Sequence, residues 1–151
     1  MDGWHPTTIY EPIPDRCVPE ELPALRVILP KVDILSPNAA EALTILSMPV
    51  DNVTRGMIED ACSQFLVMGV GKEGKGAVII RSGELGAYVK QVGKEGLWVD
   101  AYWGEDRPEK VVDVTGKGGV SNNTVVETLP RCWKCVSRWV GWRFGSWEES
   151  V

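Results

Sequence analysis

Val32-Asp33-Ile34-Leu35-Ser36-Pro37-Asn38-Ala39-Ala40-Glu41-Ala42-Leu43-Thr44-Ile45-Leu46-Ser47-Met48 is the stretch on which the fold turns. Val32 to Leu35 is a short apolar run of the kind that forms a buried strand. Ser36-Pro37-Asn38 interrupts it and supplies capping side chains. Ala39 to Met48 is then rich in good helix formers, with apolar residues at Ala42, Leu43, Ile45 and Leu46. A strand that runs directly into a capped helix is the building unit of layered α/β proteins.

Reading outward towards the N-terminus, Thr7 to Tyr10 is a brief β-branched and aromatic run. Glu11-Pro12-Ile13-Pro14 ends it, because proline lacks the donor that a ladder requires. Pro19 suits the first turn of a helix, with Glu20 and Glu21 near its positive end and Leu22, Leu25 and Ile28 leading to Leu29; Pro23 works against that helix. Towards the C-terminus, Thr54 is placed to cap a second helix. Met57, Ile58, Ala61, Cys62, Phe65 and Leu66 recur on it at helical spacing. A glycine-rich link, Gly69 to Gly76, leads to a strand at Ala77 to Arg81, a turn at Gly83 to Gly86, and a partner strand at Ala87 to Gln91. A further strand is expected within Leu97 to Trp103. Val111-Val112 then enters the glycine loop Asp113 to Gly119, with a helix expected after it. Alternating strands and helices of this kind predict an α/β layered fold with a mostly parallel sheet.

Bulk composition narrows the function classes. The 151 residues suffice for one ordinary core, and 44% hydrophobic with 25% charged residues is a globular balance. Net charge is −5 with the acidic residues scattered, so no basic stripe exists to follow a nucleic-acid backbone. The sequence has no apolar run long enough to span a bilayer and no signal-peptide pattern at Met1 to His5, and a cytosolic, cytoplasmic protein is expected. Cys17, Cys62, Cys132 and Cys135 are then expected to be thiols. Cys132-Trp133-Lys134-Cys135 fits a redox or zinc half-site string. Zinc lacks two further nearby ligands, and no thioredoxin-like strand and helix frame the pair. Four of the seven tryptophans lie beyond Arg131, where the composition changes character.

Two glycine loops compete as phosphate sites. Gly69-Val70-Gly71-Lys72-Glu73-Gly74 matches a G-x-G-x-x-G string, and Gly69 to Lys75 nearly opens a Walker A loop. Both motifs must follow a strand and open a helix, and here the glycines follow a helix and precede a strand. A solvated connector is expected instead. Asp113-Val114-Thr115-Gly116-Lys117-Gly118-Gly119 has the right context of strand end, small residues and helix start. Its glycines let successive N–H groups converge on an anion.

Three motifs in order carry a family resemblance. Asp113 to Gly119 resembles the D-T-x-G-A-G-D signature of ribokinase (PfkB) sugar kinases. Asn38-Ala39-Ala40-Glu41 resembles that family's N-x-x-E motif. Val78 to Ala87 is similar to its strand and turn ending in T-L-G-x-x-G-A. Glu11 to Asp15 is also similar to a segment of the fungal killer-maintenance-like branch. The resemblance implies a ribokinase-like three-layer core, incomplete in this chain. Residues 1–120 would form a partial kinase-like domain and residues 121–151 a divergent, Trp-rich, poorly ordered tail. It further implies ATP and Mg²⁺ as cofactors, with nucleotide and a sugar as ligands. Asn38, Glu41, Ser82, Gly83, Gly86, Thr115 and Lys117 would lie at the nucleotide, with Glu41 ordering Mg²⁺ indirectly. Gly116, Gly118 and Gly119 would form the anion hole, with Asp113 holding the loop.

The pattern departs where the family's catalytic carboxylate falls, because Gly119 has no side chain. Loss of a general base commonly costs about 10²- to 10⁴-fold in rate. The expectation is therefore a weakened or inactive fragment of an ATP-dependent carbohydrate kinase. The alternative is a non-catalytic nucleotide-binding or protein-interaction module. Each residue also has a plain structural job open to it: Asn38 as a helix cap, Glu41 as a solvated first-turn acid, Gly83 as a hairpin residue.

Overall fold

The computed structural model describes residues 6–101. Its elements are β1 (Ile9–Tyr10), α1 (Leu22–Ile28), β2 (Ile34–Leu35), α2 (Ala39–Ile45), α3 (Arg55–Val67), β3 (Ala77–Arg81), β4 (Ala87–Gln91) and β5 (Leu97–Val99). They form one sheet in the order β1-β2-β3-β4-β5. β1 pairs with β2 and β2 with β3 in parallel, whereas β4 is antiparallel to β3 and β5 to β4. Two reversals restore the direction, so β1, β2, β3 and β5 all point the same way. The sheet is open, mixed with α-helices and mostly parallel, as the alternation of elements predicts.

Register sorts the side chains into two faces. Tyr10 opposite Leu35, Leu35 opposite Val78, Ile80 opposite Tyr88 and Tyr88 opposite Trp98 share one face. That face packs into a single cluster with Leu25, Leu29, Leu43, Ile58 and Phe65 from the helical segments. Leu43, Ile58 and Phe65 are essentially inaccessible, and burying each such side chain contributes about 1.5–3 kcal/mol. On the opposite face Ile34, Ala77, Ile79 and Val89 are buried too, outside that cluster. Burial on both faces explains why β3 opens as the unbroken apolar run Ala77-Val78-Ile79-Ile80, and it is what the middle layer of a three-layer fold requires.

Helix ends follow local chemistry. Pro23 falls in the first turn of α1, where its missing N–H has no helical partner to lose, so the helix survives it. α2 stops at Ile45, three residues before the expected Met48. Ser47 is left-handed (φ 56°), its N–H donates to the Thr44 carbonyl (3.0 Å), and the Met48 N–H donates to Leu43 (2.8 Å). This is a Schellman closure, and Pro49 follows it. Thr54 caps α3 as expected, its hydroxyl accepting from the Met57 N–H at 3.3 Å. β5 is anchored at its centre: Trp98 lies 5.1 Å from the Tyr88 ring, donates to Glu59 at 2.7 Å, and carries the Arg55 guanidinium 4.6 Å above its own ring. Cys17 and Cys62 are free, buried thiols.

Candidate functional site

β1, β2 and β3 run in parallel, so their carboxyl ends open on the same edge of the sheet. Glu11, Ser36 and Ser82 follow those ends directly. In open α/β sheets this edge is where ligands seat. Hydrogen bonds tie the three exits together. The Ser36 N–H donates to the Tyr10 carbonyl (2.9 Å), the Arg81 N–H donates to the Pro37 carbonyl (3.1 Å), and Asn38 stands in bridge register with Arg81.

Asn38 and Glu41 build a reciprocal capping box. The Asn38 side-chain oxygen accepts from the Glu41 N–H at 2.9 Å, and Glu41 Oε2 accepts from the Asn38 N–H at 2.8 Å. The spacing that carries the N-x-x-E resemblance is thus also the spacing of a helix start. Glu41 is not a solvated first-turn acid, since it is only 8% exposed. Its other oxygen, Oε1, has no hydrogen bond among the described residues.

Arg81, the last residue of β3, is a cation of this edge, and Arg55 also reaches the β3–β4 turn, donating to the Leu85 carbonyl at 3.3 Å. One guanidinium nitrogen of Arg81, Nη2, donates to the Ser36 carbonyl at 3.1 Å, while Nη1 stands 3.9 Å from Glu11 Oε1. Its Nε–H is buried without a partner, and so is the hydroxyl of Ser82, a residue only 9% exposed. The available signal was an acid and a base at the exits of two strands with parallel-strand character. That signal needs the strand order to be meaningful.

The turn that closes β3 onto β4 uses its glycines differently. The Ser82 N–H donates to the Gly86 carbonyl at 2.7 Å. Gly83 has φ +56° and faces open space, so a ligand can approach its backbone. Gly86 has φ +91°, and a Cβ there would overlap the Val99 carbonyl oxygen and sit 3.1 Å from the Ala101 nitrogen. Glycine at position 86 is therefore accounted for by its backbone conformation and the close approach of Val99 and Ala101.

Cys17 reports on the charge around Glu41. Burial, followed by the Glu41 carboxylate, pushes its thiol up to about 11, and the thiol itself lies 3.3 Å from the Ile13 carbonyl. Among the described residues no group of three His, Cys, Asp or Glu side chains converges to hold a metal directly. A single carboxylate such as Glu41 suits Mg²⁺ that keeps most of its waters and rides on phosphate oxygens. The Gly69–Gly76 link lies at the opposite edge, between α3 and β3. The N–H groups of Gly71, Gly74, Lys75 and Gly76 bond to Leu29, Gly71, Lys72 and Val70 carbonyls, which leaves them unavailable to a phosphate. The expected anion-hole residues Asp113, Thr115, Gly116, Lys117, Gly118 and Gly119, and the segment 121–151, lie outside the described residues.

No protein-family model matches the sequence. Among curated proteins, the chain is similar to an uncharacterized protein of Schizosaccharomyces pombe, 27% identical over 84 residues, covering 56% of this chain and 23% of that protein. Among solved structures it is similar to Arabidopsis thaliana ribokinase in complex with ribose and ATP. The TM-score there is 0.51, with 24% identity, over 78% of this chain and 31% of that one. Ribokinase from Thermotoga maritima follows with a TM-score of 0.46, 22% identity, and coverage of 68% and 30%. The chain thus spans between 23% and 31% of the length of these proteins. Both neighbours are ribokinases, and the likeness to the Arabidopsis structure is one of fold, over part of that protein's length.

Proposed function

We propose that the carboxyl edge of β1–β3 holds the phosphates of ATP, and that the chain is a ribokinase-type nucleotide-binding module with weak or absent phosphoryl transfer to a sugar hydroxyl. The observation that carries this reading is the convergence of Asn38, Glu41, Arg81, Ser82 and Gly83 at one edge of a parallel strand trio. Two of these residues carry buried polar atoms with no partner among their neighbours. Glu41 would orient Mg²⁺ through water, and the metal would supply charge neutralisation of the phosphates. The amides of Gly116 to Gly119 are assigned to the transferring group, with Asp113 holding their loop, and Thr115 and Lys117 beside the nucleotide. The similarity of Glu11 to Asp15 to the killer-maintenance-like branch fits a fungal relative.

Position 119 decides between slow enzyme and binder. With glycine there, no carboxylate takes the proton from the sugar hydroxyl. Calorimetric titration with Mg·ATP, followed by a coupled assay over a sugar panel, tests both halves. ATP binding with little turnover is expected, and Gly119→Asp should raise turnover by about 10²- to 10⁴-fold where a general base is the missing component. A folded protein that takes up no nucleotide would overturn the reading. Binding with no gain at Gly119→Asp would leave the non-catalytic module in its place.

A further inference from the structure

We infer that Arg81 contacts the phosphates of the ligand directly, and that Glu11 competes with them for the same guanidinium. The inference rests on the anion-binding reading of this edge and adds the residue pair that sets its affinity. Arginine presents five N–H donors in a planar fork that matches phosphate oxygens. At Arg81 one of them, on Nη2, is used by the Ser36 carbonyl, which fixes the guanidinium plane against the β2 exit. The buried Nε–H has no partner. The remaining charged contact is the 3.9 Å approach of Nη1 to Glu11, beyond hydrogen-bonding distance.

Other arginines in the described residues behave differently. Arg16 closes on Glu21 at 2.9 Å and Arg55 on Asp100 at 3.1 Å. Arg81, less exposed than either, is held short of its carboxylate while anchored on the other side. Ser82, the next residue, adds a buried hydroxyl with no partner, and Gly83 beyond it leaves open space. An edge that also carries the carboxylates of Glu11 and Glu41 would repel a polyphosphate unless a fixed cation offset them. Arg81, held by the Ser36 carbonyl, is the fixed cation between the β2 and β3 exits. When an anion arrives, Nη1 exchanges a loose, half-exposed carboxylate for phosphate oxygens, and Glu11 is released to solvent.

Tripolyphosphate and Mg·ATP titrated into wild type, R81Q, R81K and E11Q, with thermal melts of each, test the exchange. R81Q should weaken both ligands by about ten-fold or more, the scale of a charge-assisted hydrogen-bonded contact, and R81K should fall between it and wild type. E11Q should tighten both by about two- to five-fold, the scale of a partly exposed ion pair. Unchanged affinity in R81Q, or weaker binding in E11Q, would overturn the assignment. Should R81Q lose its fold with the Ser36 bond, E11Q keeps that bond and decides the matter by itself. Tripolyphosphate binding with these responses but no ATP binding would uphold Arg81 and remove the nucleotide reading. ATP binding indifferent to residue 81 would do the reverse, and no binding of either anion to folded wild type would remove both.

Discussion

Alanine at Gly86 and alanine at Gly83 should have opposite consequences, although the two glycines sit in one short turn. Gly86 has φ +91° and ψ −143°, a region that only glycine occupies without strain, which costs about 1–3 kcal/mol for alanine. Its new methyl would also press on the Val99 carbonyl, and the only relief is to move β5 away from β4. The β4–β5 ladder pairs Ala87, Tyr88 and Val89 with Val99, Trp98 and Leu97, and weakening its hydrogen bonds adds about 1 kcal/mol net for each one lost. The sum is about 3–5 kcal/mol, a large fraction of the stability of an ordinary domain. At Gly83 the methyl enters empty space, and the left-handed backbone alone costs about 1 kcal/mol. Urea unfolding followed by circular dichroism should therefore show a midpoint drop of roughly 2 M or more for Gly86→Ala and under about 1 M for Gly83→Ala. Mg·ATP titration should show the inverse order: Gly83→Ala weakens binding by filling the approach to the turn, whereas Gly86→Ala acts only through loss of fold. A Gly86→Ala protein no less stable than Gly83→Ala would refute the packing argument.

Removing the capping box separates its structural role from its ligand role. Asn38→Ala and Glu41→Ala should each cost about 1 kcal/mol, and the double variant less than their sum because the two bonds form one unit. Glu41→Gln keeps an acceptor for the Asn38 N–H and should preserve thermal stability while lowering affinity for Mg·ATP relative to tripolyphosphate alone. Alkaline pH should destabilise the fold through the buried thiols. Burial raises Cys62 to about 12, with Lys90 pulling partly the other way, and raises Cys17 to about 11. The unfolded chain thus releases these protons first, starting from the ordinary value of 9.0, and stability falls as pH rises through that window. The slope is at most about 1.4 kcal/mol per pH unit per thiol, and none of it is present below the window. Cys17→Ala should shallow the decline, as measured by urea midpoints between pH 8 and 11, and an unchanged slope would count against the burial argument.

Strand, cap and helix at Val32 to Glu41 were legible because three local signals agree there: an apolar run, a breaker with side-chain acceptors, and helix formers at the right period. The turn between Arg81 and Ala87 was legible because an apolar strand-like run ends on glycines and a second such run follows. The end of α2 was not, because Leu46, Ser47 and Met48 continue the apolar and polar alternation, and only the left-handed Ser47 reveals the closure. Glu41's burial also escaped sequence reading, since acids in a first turn are ordinarily solvated. The larger gap is at Glu11, Ser36 and Arg81. Each is ordinary in its own segment, and the strand order β1-β2-β3 is what brings them together. Arg55 over Trp98 is a second case: it joins the start of α3 to β5, a long-range contact that no local pattern encodes.

Because β3, β4 and β5 alternate in direction, the turn from β4 to β5 falls at the end of the sheet away from the candidate site. Residues 92–95 of that turn are exposed, and a side chain built on Gly93 would meet nothing. Guest sequence spliced in beside Gly93, such as an epitope or a labelled peptide, can therefore be carried by this protein as cargo without reaching the opposite rim. The same splice at Ser82 to Gly86 would instead lengthen the turn that carries Ser82 and Gly83 on that rim.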